Sequence, residues 1–243
     1  MVSKGQIKLI TSLQQKKYRD ATGLFVAEGP KVIAELRQGG LTLNSLFTTE
    51  NTEDISESIF NVTKNELTKI SFLKTANKAL AVFEITKQKP INTEGLIVAL
   101  DAIRDPGNLG TIIRLCDWFG VSQLVCSQDT ADCYNPKVIQ ATMGSIARVR
   151  VYYVNLSEFI KNSDLPIYGG VMDGNNIYGQ TLPENAIIVM GNEANGISER
   201  INALLTERIT IPQFGREQKT ESLNVATATA ILLSEFKRGF IEK

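Results

Sequence analysis

Residues 96–120, "LIVALDAIRDPGNLGTIIRLCDWFG", combine the residue patterns of a strand, a loop and a helix. The first eight residues are almost all apolar, which is typical of a parallel strand buried on both faces. A polar turn follows, and the apolar spacing after it predicts a helix with Asn108 as a candidate N-cap and Gly120 just beyond its C-terminus. A strand joined to a helix in this way is the repeating unit of α/β proteins.

The same alternation continues on both sides of this segment. After it, the runs "VSQLVCS", "ARVRVYYV", "PIYGGVM", "AIIVMG" and "RITIP" predict further strands with helical stretches between them. Before it, "LFVAEG", "LNSLFTT" and "ALAVFEI" predict strands, and "KVIAELRQGG" predicts a helix that ends at two glycines. The polar stretch "TKQKPINTEG" indicates a linker. We therefore predict a smaller α/β domain over residues 1–90 and an α/β domain with a mostly parallel sheet over residues 91–243.

The composition restricts the chemistry that the chain can perform. Its 243 residues include no histidine, which excludes Ser-His-Asp catalysis, Cys-His catalysis and histidine-based metal sites. The three cysteines, Cys116, Cys126 and Cys133, are irregularly spaced, so we expect neither a disulfide framework nor a metal site. The first residues show no signal-peptide pattern, and no apolar run approaches the ~20 residues that span a bilayer. We expect a cytoplasmic protein without a membrane partner.

Charge is unevenly distributed along the chain. Residues 1–90 contain 13 Lys and Arg against 9 Asp and Glu, a balance of +4, whereas residues 91–243 contain 13 against 17, a balance of −4. This difference is compatible with an ordinary solvated surface, and equally with an N-terminal domain that binds a polyanion. Under the second interpretation, the cluster of Lys16, Lys17 and Arg19 is the candidate RNA-binding site.

Three polar, glycine-rich segments follow predicted strands. They are "LDAIRDPGNLG", "VMGNEANGIS" at residues 189–198 and "IPQFGREQKTESLN" at residues 211–224. Parallel strands end at a common edge of the sheet, and α/β proteins bind ligands outside that edge. None of the segments matches a dinucleotide G-x-G-x-x-G motif or a phosphate-binding G-x-x-x-x-G-K-[ST] motif. We therefore expect a small ligand close to the backbone of these loops, and not a nucleoside triphosphate.

The order of these segments matches a known family. The stretches "NLGTIIRLCDWFG", "IVMGNEANGIS" and "IPQFGREQKTESLNVATATAILLSEF" resemble the three motifs of the SpoU family of RNA ribose 2′-O-methyltransferases, within the SPOUT superfamily. The intervening "NPKVIQATMGSIARVRV" is similar to that family as well, and the resemblance covers roughly residues 95–240. Residues 1–90, with "KKYRDATGLFVAEGPKVIAEL", are similar to the ribosomal-protein-like substrate-binding domain that precedes many such enzymes.

The resemblance implies a fold, a cofactor and an assembly. The C-terminal domain would be an α/β knot that binds S-adenosylmethionine (SAM), and the protein would be a homodimer that methylates RNA, with ribosomal RNA favoured. The family positions that bind SAM correspond to Val171, Met190, Gly191, Asn192, Gly196, Ile211 and Leu223. The family positions that act in catalysis correspond to Asn108, Arg114, Glu193, Ser222 and Asn224.

Each catalytic candidate also has a structural interpretation. Arg114 can form an i,i+3 pair with Asp117, Glu193 can be a turn carboxylate, and the three polar candidates can cap helices. The joint occurrence of the motifs favours a catalytic Arg114 and a Glu193 that supports it, while Asn108 is open to either role. Because the pKa of arginine exceeds ~12, we expect Arg114 to orient the 2′-oxygen and stabilise its developing charge, without removing its proton.

Three other functions are compatible with the sequence. The first is methylation of tRNA by the same chemistry, and the second is a non-catalytic RNA-binding or ribosome-assembly protein with this fold. The third is an α/β enzyme that uses a different nucleotide, which the missing phosphate-binding motifs disfavour. The presence of Arg114, Glu193 and Asn224 favours an active methyltransferase over the non-catalytic alternative.

Overall fold

The computed structural model describes residues 2–50, 58–87, 89–215, 217 and 222–240. They form two compact units, one from residues 1–87 and 132–148 and the other from residues 88–131 and 149–243. The division after residue 87 lies close to the boundary predicted near residue 90. The prediction of two continuous domains did not place residues 132–148 with the N-terminal unit.

The helices and strands alternate along most of the chain. In chain order they are α1 (Lys4–Ser12), α2 (Lys16–Thr22), β1 (Leu24–Glu28), α3 (Pro30–Gln38), β2 (Leu43–Thr48), β3 (Ile59–Asn61), α4 (Lys64–Ile70), β4 (Ala79–Glu84), β5 (Leu96–Asp101), α5 (Pro106–Trp118), β6 (Gln123–Ser127), α6 (Pro136–Thr142), a 3₁₀ turn (Ser145–Ala147), β7 (Arg150–Val154), α7 (Leu156–Lys161), β8 (Ile167–Asn176), β9 (Ala186–Gly191), α8 (Glu199–Asn202), β10 (Glu207–Thr210) and α9 (Val225–Arg238). The predicted strands are all present, and β3 is a short strand that the sequence pattern did not reveal.

The N-terminal unit is built on a four-stranded sheet in the order β1-β4-β2-β3. The pairs β1–β4 and β4–β2 are antiparallel, and β2–β3 is parallel. The central strand β4 is buried over Ala79–Phe83, so its run of apolar residues packs on both faces of the sheet. Apolar residues of α1 and α4 cover one face, and those of α3 cover the other.

Residues 132–148 complete the core on the α3 side of this sheet. Ile139 of α6 is buried in the same cluster as Phe25 of β1 and Leu36 of α3, and the centre of the Tyr134 ring lies 4.9 Å from that of Phe25. Gly144, at φ +100°, lies directly against Glu35, where a Cβ atom would come within 2.3 Å of the glutamate side chain. The segment is therefore a packed part of the N-terminal unit.

A buried ion pair attaches this segment to α2. The guanidinium of Arg19 is 2% exposed and pairs with the carboxylate of Asp132. Its Nη1 also donates to the carbonyl oxygens of Leu13 (2.7 Å) and Gln14 (2.9 Å). The prediction that Arg19 contacts RNA is therefore wrong, because its charge is buried and its donors are already used inside the unit.

The C-terminal unit contains a six-stranded sheet in the order β10-β8-β9-β5-β6-β7. All five strand pairs are parallel, which confirms the predicted α/β class with a mostly parallel sheet. The strands β5 and β9 at its centre are almost wholly buried, as their continuous apolar runs predicted. After β10 at the edge, the chain returns to α9, which packs against α5 and β9. None of the described helices is long and apolar enough to cross a membrane.

An irregularity in β8 opens the edge of this sheet. In the pairing of β8 with β10, Arg208 lies beside Gly169, whereas the next residue, Ile209, lies beside Asn175. Residues 170–174 therefore leave the pairing, and Gly174 lets the chain approach the backbone of Ile209, where a Cβ atom would come within 2.6 Å. This excursion forms one wall of the cleft described below.

Replacement of Arg19 by methionine tests the buried pair. We expect Arg19→Met to lower the free energy of unfolding by about 3 kcal/mol, because the Asp132 carboxylate, 15% exposed, loses its cation. Lys16→Ala is the matched control: Lys16 is 62% exposed and pairs with Asp20, so its loss should cost about 0.5 kcal/mol or less. Calorimetric unfolding of the full chain measures both, and equal effects would contradict a structural role for Arg19.

Candidate active site

The main cleft of the C-terminal unit lies beside the carboxyl ends of its central strands. Its volume is about 830 Å³, within the range of small-molecule sites. Its walls come from the excursion of β8, the loop after β9 and the segments that flank the start of α9. Of the described residues that line it, Glu193 is the only one that carries a charge. The cleft therefore favours a ligand with an apolar surface and a cationic group.

All seven predicted cofactor-binding residues line this cleft. They are Val171, Met190, Gly191, Asn192, Gly196, Ile211 and Leu223. The loop after β9 folds back on itself, with Asn192 N–H donating to Gly196 O (2.9 Å) and Gly196 N–H donating to Asn192 O (2.8 Å). A Cβ atom on Gly191 would come within 2.2 Å of this returning backbone, so glycine is required there. The cofactor role of these residues stays a prediction.

A chain of side-chain hydrogen bonds joins the three predicted motif segments. The amide Nδ2 of Asn224 donates to Oδ1 of Asn108 (2.9 Å), and Nδ2 of Asn108 donates to Oε1 of Glu193 (2.6 Å). Asn108 is 116 positions from Asn224 along the chain and 85 positions from Glu193. The structure thus brings together three of the five predicted catalytic residues, and Ser222 lines the adjoining cleft.

The orientation of each amide in this chain is fixed by the helix that follows Asn224. Oδ1 of Asn224 accepts from the N–H groups of Ala226 (3.0 Å) and Thr227 (3.2 Å), as an N-cap does. Only Nδ2 of Asn224 then remains for Asn108, which must accept with Oδ1 and donate with Nδ2. The Glu193 carboxylate is the final acceptor in this series of hydrogen bonds. The direction of every bond in the series therefore follows from the N-cap.

The role of Asn108 differs from one of its two predicted alternatives. Helix α5 begins at Pro106, and its N-cap is Asp105, whose Oδ1 accepts from the N–H of Asn108 at 2.7 Å. The prediction of Asn108 as N-cap is therefore wrong, because the helix starts two residues before it. Its amide is directed to Glu193 and Asn224, and the other alternative, a substrate-orienting amide, stays open. Gly120, at φ +68°, ends the helix as predicted.

Arg114 lies on the exposed side of α5, six residues after Asn108. Among the residues that the structure describes, none is found in a hydrogen bond or an ion pair with its guanidinium, so nothing there supports the alternative of an i,i+3 pair. Arg114 is also absent from the described lining of the cleft. Four residues further along the helix, Trp118 is 83% exposed. The fifth catalytic candidate therefore neither joins the hydrogen-bond chain nor lines the cleft among the described residues.

Two hydrogen bonds hold the Glu193 loop in place, and the sequence predicted neither of them. Asp101, buried at the end of β5, accepts from the N–H of Ser198 at 2.7 Å. The carbonyl oxygen of Ala102 accepts from Nδ2 of Asn192 at 2.7 Å, and Ala102 has the left-handed φ of +60°. No sequence pattern indicates the left-handed backbone of Ala102. The position of Asp101, an acidic residue at the end of an apolar strand, could have indicated a residue of the site.

The mouth of the cleft also contains side chains that the sequence did not single out. Met172, Tyr178 and Phe214 line it and are 56%, 40% and 83% exposed, and the rings of Tyr178 and Phe214 are 6.3 Å apart. Cys116 does not contribute chemistry, because its burial raises the pKa of the thiol. Across the described part of the chain, no group of three or more Cys, Asp or Glu could hold a metal ion.

Two family models match the chain. The model described as the SpoU rRNA Methylase family matches residues 95–234, which is more than half of the sequence. The model described as the MRM3-like substrate binding domain matches residues 4–81. The two matches together cover both of the predicted domains.

Individual proteins match over nearly the whole length. The "23S rRNA (guanosine(2553)-2'-O)-methyltransferase RlmP" of Bacillus subtilis is 29% identical over 238 residues, 94% of each chain. The "23S rRNA (guanosine-2'-O-)-methyltransferase RlmB" of Blochmanniella floridana is 33% identical and covers 73% of this chain and 67% of its own. A TrmH-family structure from Porphyromonas gingivalis (36% identity, TM-score 0.88) covers 98% of this chain and 99% of its own. An AdoMet-bound rRNA methyltransferase from Sinorhizobium meliloti (28% identity, TM-score 0.86) covers 100% and 98%.

The substitution Asn224→Asp tests the direction of the hydrogen-bond chain. Aspartate is as good an N-cap as asparagine and favours the helix dipole, so the cap alone predicts no loss of stability. The introduced carboxylate cannot donate to Asn108, however, and turning the Asn108 amide would set its oxygen against the Glu193 carboxylate. We expect a loss of about 1 kcal/mol, or a fall of about 3 °C in melting temperature by calorimetry.

Two comparisons make this test specific. Asn155→Asp changes another asparagine N-cap of the same unit, that of α7, and should not lower the melting temperature. In the background of Glu193→Gln, Asn224→Asp should cost much less, because a glutamine amide can donate to the turned Asn108. An equal loss in both backgrounds would contradict the proposed orientation.

Proposed function

The chain belongs to the SpoU rRNA methylase family, and we propose that it transfers the methyl group of SAM to a ribose 2′-hydroxyl of ribosomal RNA. The observation that carries this proposal is the meeting of the three motif segments at one edge of the sheet, where Asn224, Asn108 and Glu193 form a continuous chain of hydrogen bonds. The names of the relatives, which act on 23S rRNA, support ribosomal RNA as the substrate. No contact among the described residues favours tRNA or a non-catalytic role.

The cleft suits SAM in volume and in charge. Its floor is apolar, with Met190, Ile209 and Leu232 buried, and the folded loop from Gly191 to Gly196 brings backbone groups to its wall. Glu193 supplies one negative charge, which suits a sulfonium cation. SAM contributes a methyl group on a good leaving group, so the protein has only to position the ribose and accommodate the loss of its hydroxyl proton.

The residues around the cleft can divide this positioning work. Asn108 holds the carboxylate of Glu193 in place, leaving its second oxygen, Oε2, with only a long 3.5 Å contact from Asn192. That oxygen can accept a hydrogen bond from the ribose hydroxyl as the methyl group approaches. Arg114 supplies the cationic fork that stabilises the developing charge on the 2′-oxygen or grips the adjacent phosphate.

In this proposal, a complete active site requires Arg114 from a second copy of the chain. Arg114 is exposed, has no described partner, and does not line the cleft of its own chain. Trp118, on the same helix, is a large exposed aromatic side chain of the kind that interfaces bury. We propose a homodimer in which Arg114 of one protomer completes the cleft of the other, in the cytoplasm, where ribosomal RNA is available.

Residues 1–90 are the proposed RNA-binding domain, and residues 91–243 the proposed methyltransferase domain. The compact units differ from this division by residues 132–148, which belong to the N-terminal unit. Lys16 and Lys17 are exposed and can contact RNA, although Lys16 is paired with Asp20 and Lys17 lies over the ring of Tyr18. Arg19 supports the fold and is not part of this surface.

Methylation of 23S rRNA transcribed in vitro tests the activity. With SAM, the full-length protein should introduce a 2′-O-methyl group at one nucleotide, and Arg114→Ala should lower the rate by about 100-fold or more. Arg150→Ala removes an equal charge at the opposite, amino edge of the sheet and should retain activity. Failure to bind SAM in calorimetry would exclude the proposed cofactor.

Mixed dimers test the shared site. Arg114→Ala and Glu193→Ala chains should each be inactive, since one lacks the arginine and the other the carboxylate of the cleft. After random exchange, about half of the dimers pair one chain of each kind, and in each of these one site has both groups. Activity should then recover to about a quarter of wild type. No recovery after demonstrated exchange of subunits would rule out the shared site.

A further inference from the structure

Arg104 is an exposed cation in the loop between β5 and α5, and neither the motifs nor the relatives' names assign it a role. This loop lies at the carboxyl edge of the sheet and is fixed at both ends to the Glu193 loop. Before Arg104, the carbonyl of Ala102 accepts from Asn192 (2.7 Å), and after it, Asn108 donates to Glu193 (2.6 Å). The position of the Arg104 backbone is therefore set by the site itself.

Buried contacts between these ends make the loop rigid. Ile103 is fully buried, and its carbonyl oxygen accepts from the N–H of Ala131 at 2.8 Å. The N–H of Ala102 donates to Oγ of Ser127 at 2.9 Å, so the left-handed Ala102 is bonded through both its N–H and its C=O. A left-handed alanine is kept only where the surroundings enforce it, and here they do so directly beside Arg104.

The same contacts direct the Arg104 side chain. The hydroxyl of Ser127 donates to Oδ1 of Asp129 (2.6 Å), and Oδ2 of Asp129 lies 3.8 Å from Nη2 of Arg104. At this distance the two groups form an ion pair without a hydrogen bond. Among the described residues, none accepts a hydrogen bond from the guanidinium, which can therefore donate to a ligand. The Arg104 side chain is 73% exposed and that of Asp129 56%, and a pair so exposed contributes little to stability.

The geometry points to an RNA phosphate as the ligand of Arg104. We propose that Arg104 binds a phosphate of the RNA strand next to the reacting ribose, with Asp129 holding the guanidinium at the rim of the site. The planar fork of arginine matches a phosphate with two donors, and phosphate contacts set the register of a bound strand. The carboxylate of SAM is not the favoured ligand, because Arg104 does not line the cleft. This inference rests on the proposed function.

Binding of RNA at several salt concentrations tests the assignment. The probe is 23S rRNA transcribed in vitro, with the full-length protein and a series of KCl concentrations from about 50 to about 300 mM. Arg104→Ala should weaken RNA binding about tenfold and lower the slope of log K against log salt by about one, because one phosphate contact is lost. The affinity for SAM, measured by calorimetry, should stay within about twofold, since the cleft is untouched.

Three variants separate a positioned contact from general charge effects. Arg104→Lys keeps the charge but loses the fork, so it should keep most of the slope and lose about threefold in affinity. Arg150→Ala removes an exposed charge at the amino edge of the same sheet and should leave RNA affinity unchanged. Asp129→Asn keeps an oxygen for Ser127 but loses the charge that holds Arg104, and it should weaken binding about threefold, whereas simple charge repulsion predicts tighter binding.

Each contrary result overturns the proposal. If Arg104→Ala leaves the RNA affinity and the salt slope unchanged, Arg104 does not contact a phosphate. If Arg150→Ala has an equal effect on RNA affinity, the contribution of Arg104 is non-specific electrostatic attraction. A loss of SAM affinity in Arg104→Ala, with RNA binding intact, would assign the guanidinium to the cofactor. Because RNA binding is measured without turnover, a wild-type protein that binds RNA but transfers no methyl group would refute the proposed function and still test Arg104.

Discussion

Helix α9 begins with N–H groups that have no partner within the helix, and the side-chain oxygen of Asn224 accepts from two of them. This local requirement has consequences far along the chain, because it leaves the Asn224 amide only as a donor. Asn108 must then accept a hydrogen bond from Asn224 with Oδ1 and donate one to Glu193 with Nδ2. The N-cap of α9 therefore orients Asn108 of the first motif and the Glu193 carboxylate of the second. The site is assembled by the same contact that starts a helix.

Charge is divided between the cleft and its surroundings. The described lining of the cleft carries a single carboxylate, whereas Arg104 and Arg114, the exposed cations of this unit that we propose to contact RNA, are not part of that lining. In the proposed function, a cationic cofactor meets a carboxylate and a polyanionic substrate meets cations. The chain has no histidine, so in this proposal the ribose hydroxyl is met by a carboxylate and a guanidinium.

The sequence predicted the elements whose information is local. Continuous apolar runs such as that of β5 identified buried parallel strands, and the glycine at position 120 identified a helix end. It did not predict the partner of Arg19, because the 113 positions that separate Arg19 from Asp132 leave no periodic trace. The helix start was misplaced by three residues, since Asp105 and Asn108 are both good N-caps and only the folded loop chooses between them.

The cleft shows the same limit on a larger scale. Its seven predicted residues were found through motif resemblance and lie on its walls, but the excursion of β8 at residues 170–174 depends on pairing with β10 more than thirty positions later. Likewise, the exposure of Phe214 and the left-handed backbone of Ala102 follow from neighbours in space. Residue type alone indicates neither of them.

The packing of residues 132–148 into the N-terminal unit has a consequence for synthesis of the chain. The last strand of that unit ends at Glu84, yet the core beside β1 and α3 is closed only by Ile139 and its neighbours. A ribosome that adds about 5–20 residues per second synthesises these residues roughly 3–12 s after it has synthesised that strand. During this interval the nascent unit presents an uncovered apolar face while β5, α5 and β6 are being made. The core of the N-terminal unit can therefore be completed only after part of the C-terminal unit has been synthesised.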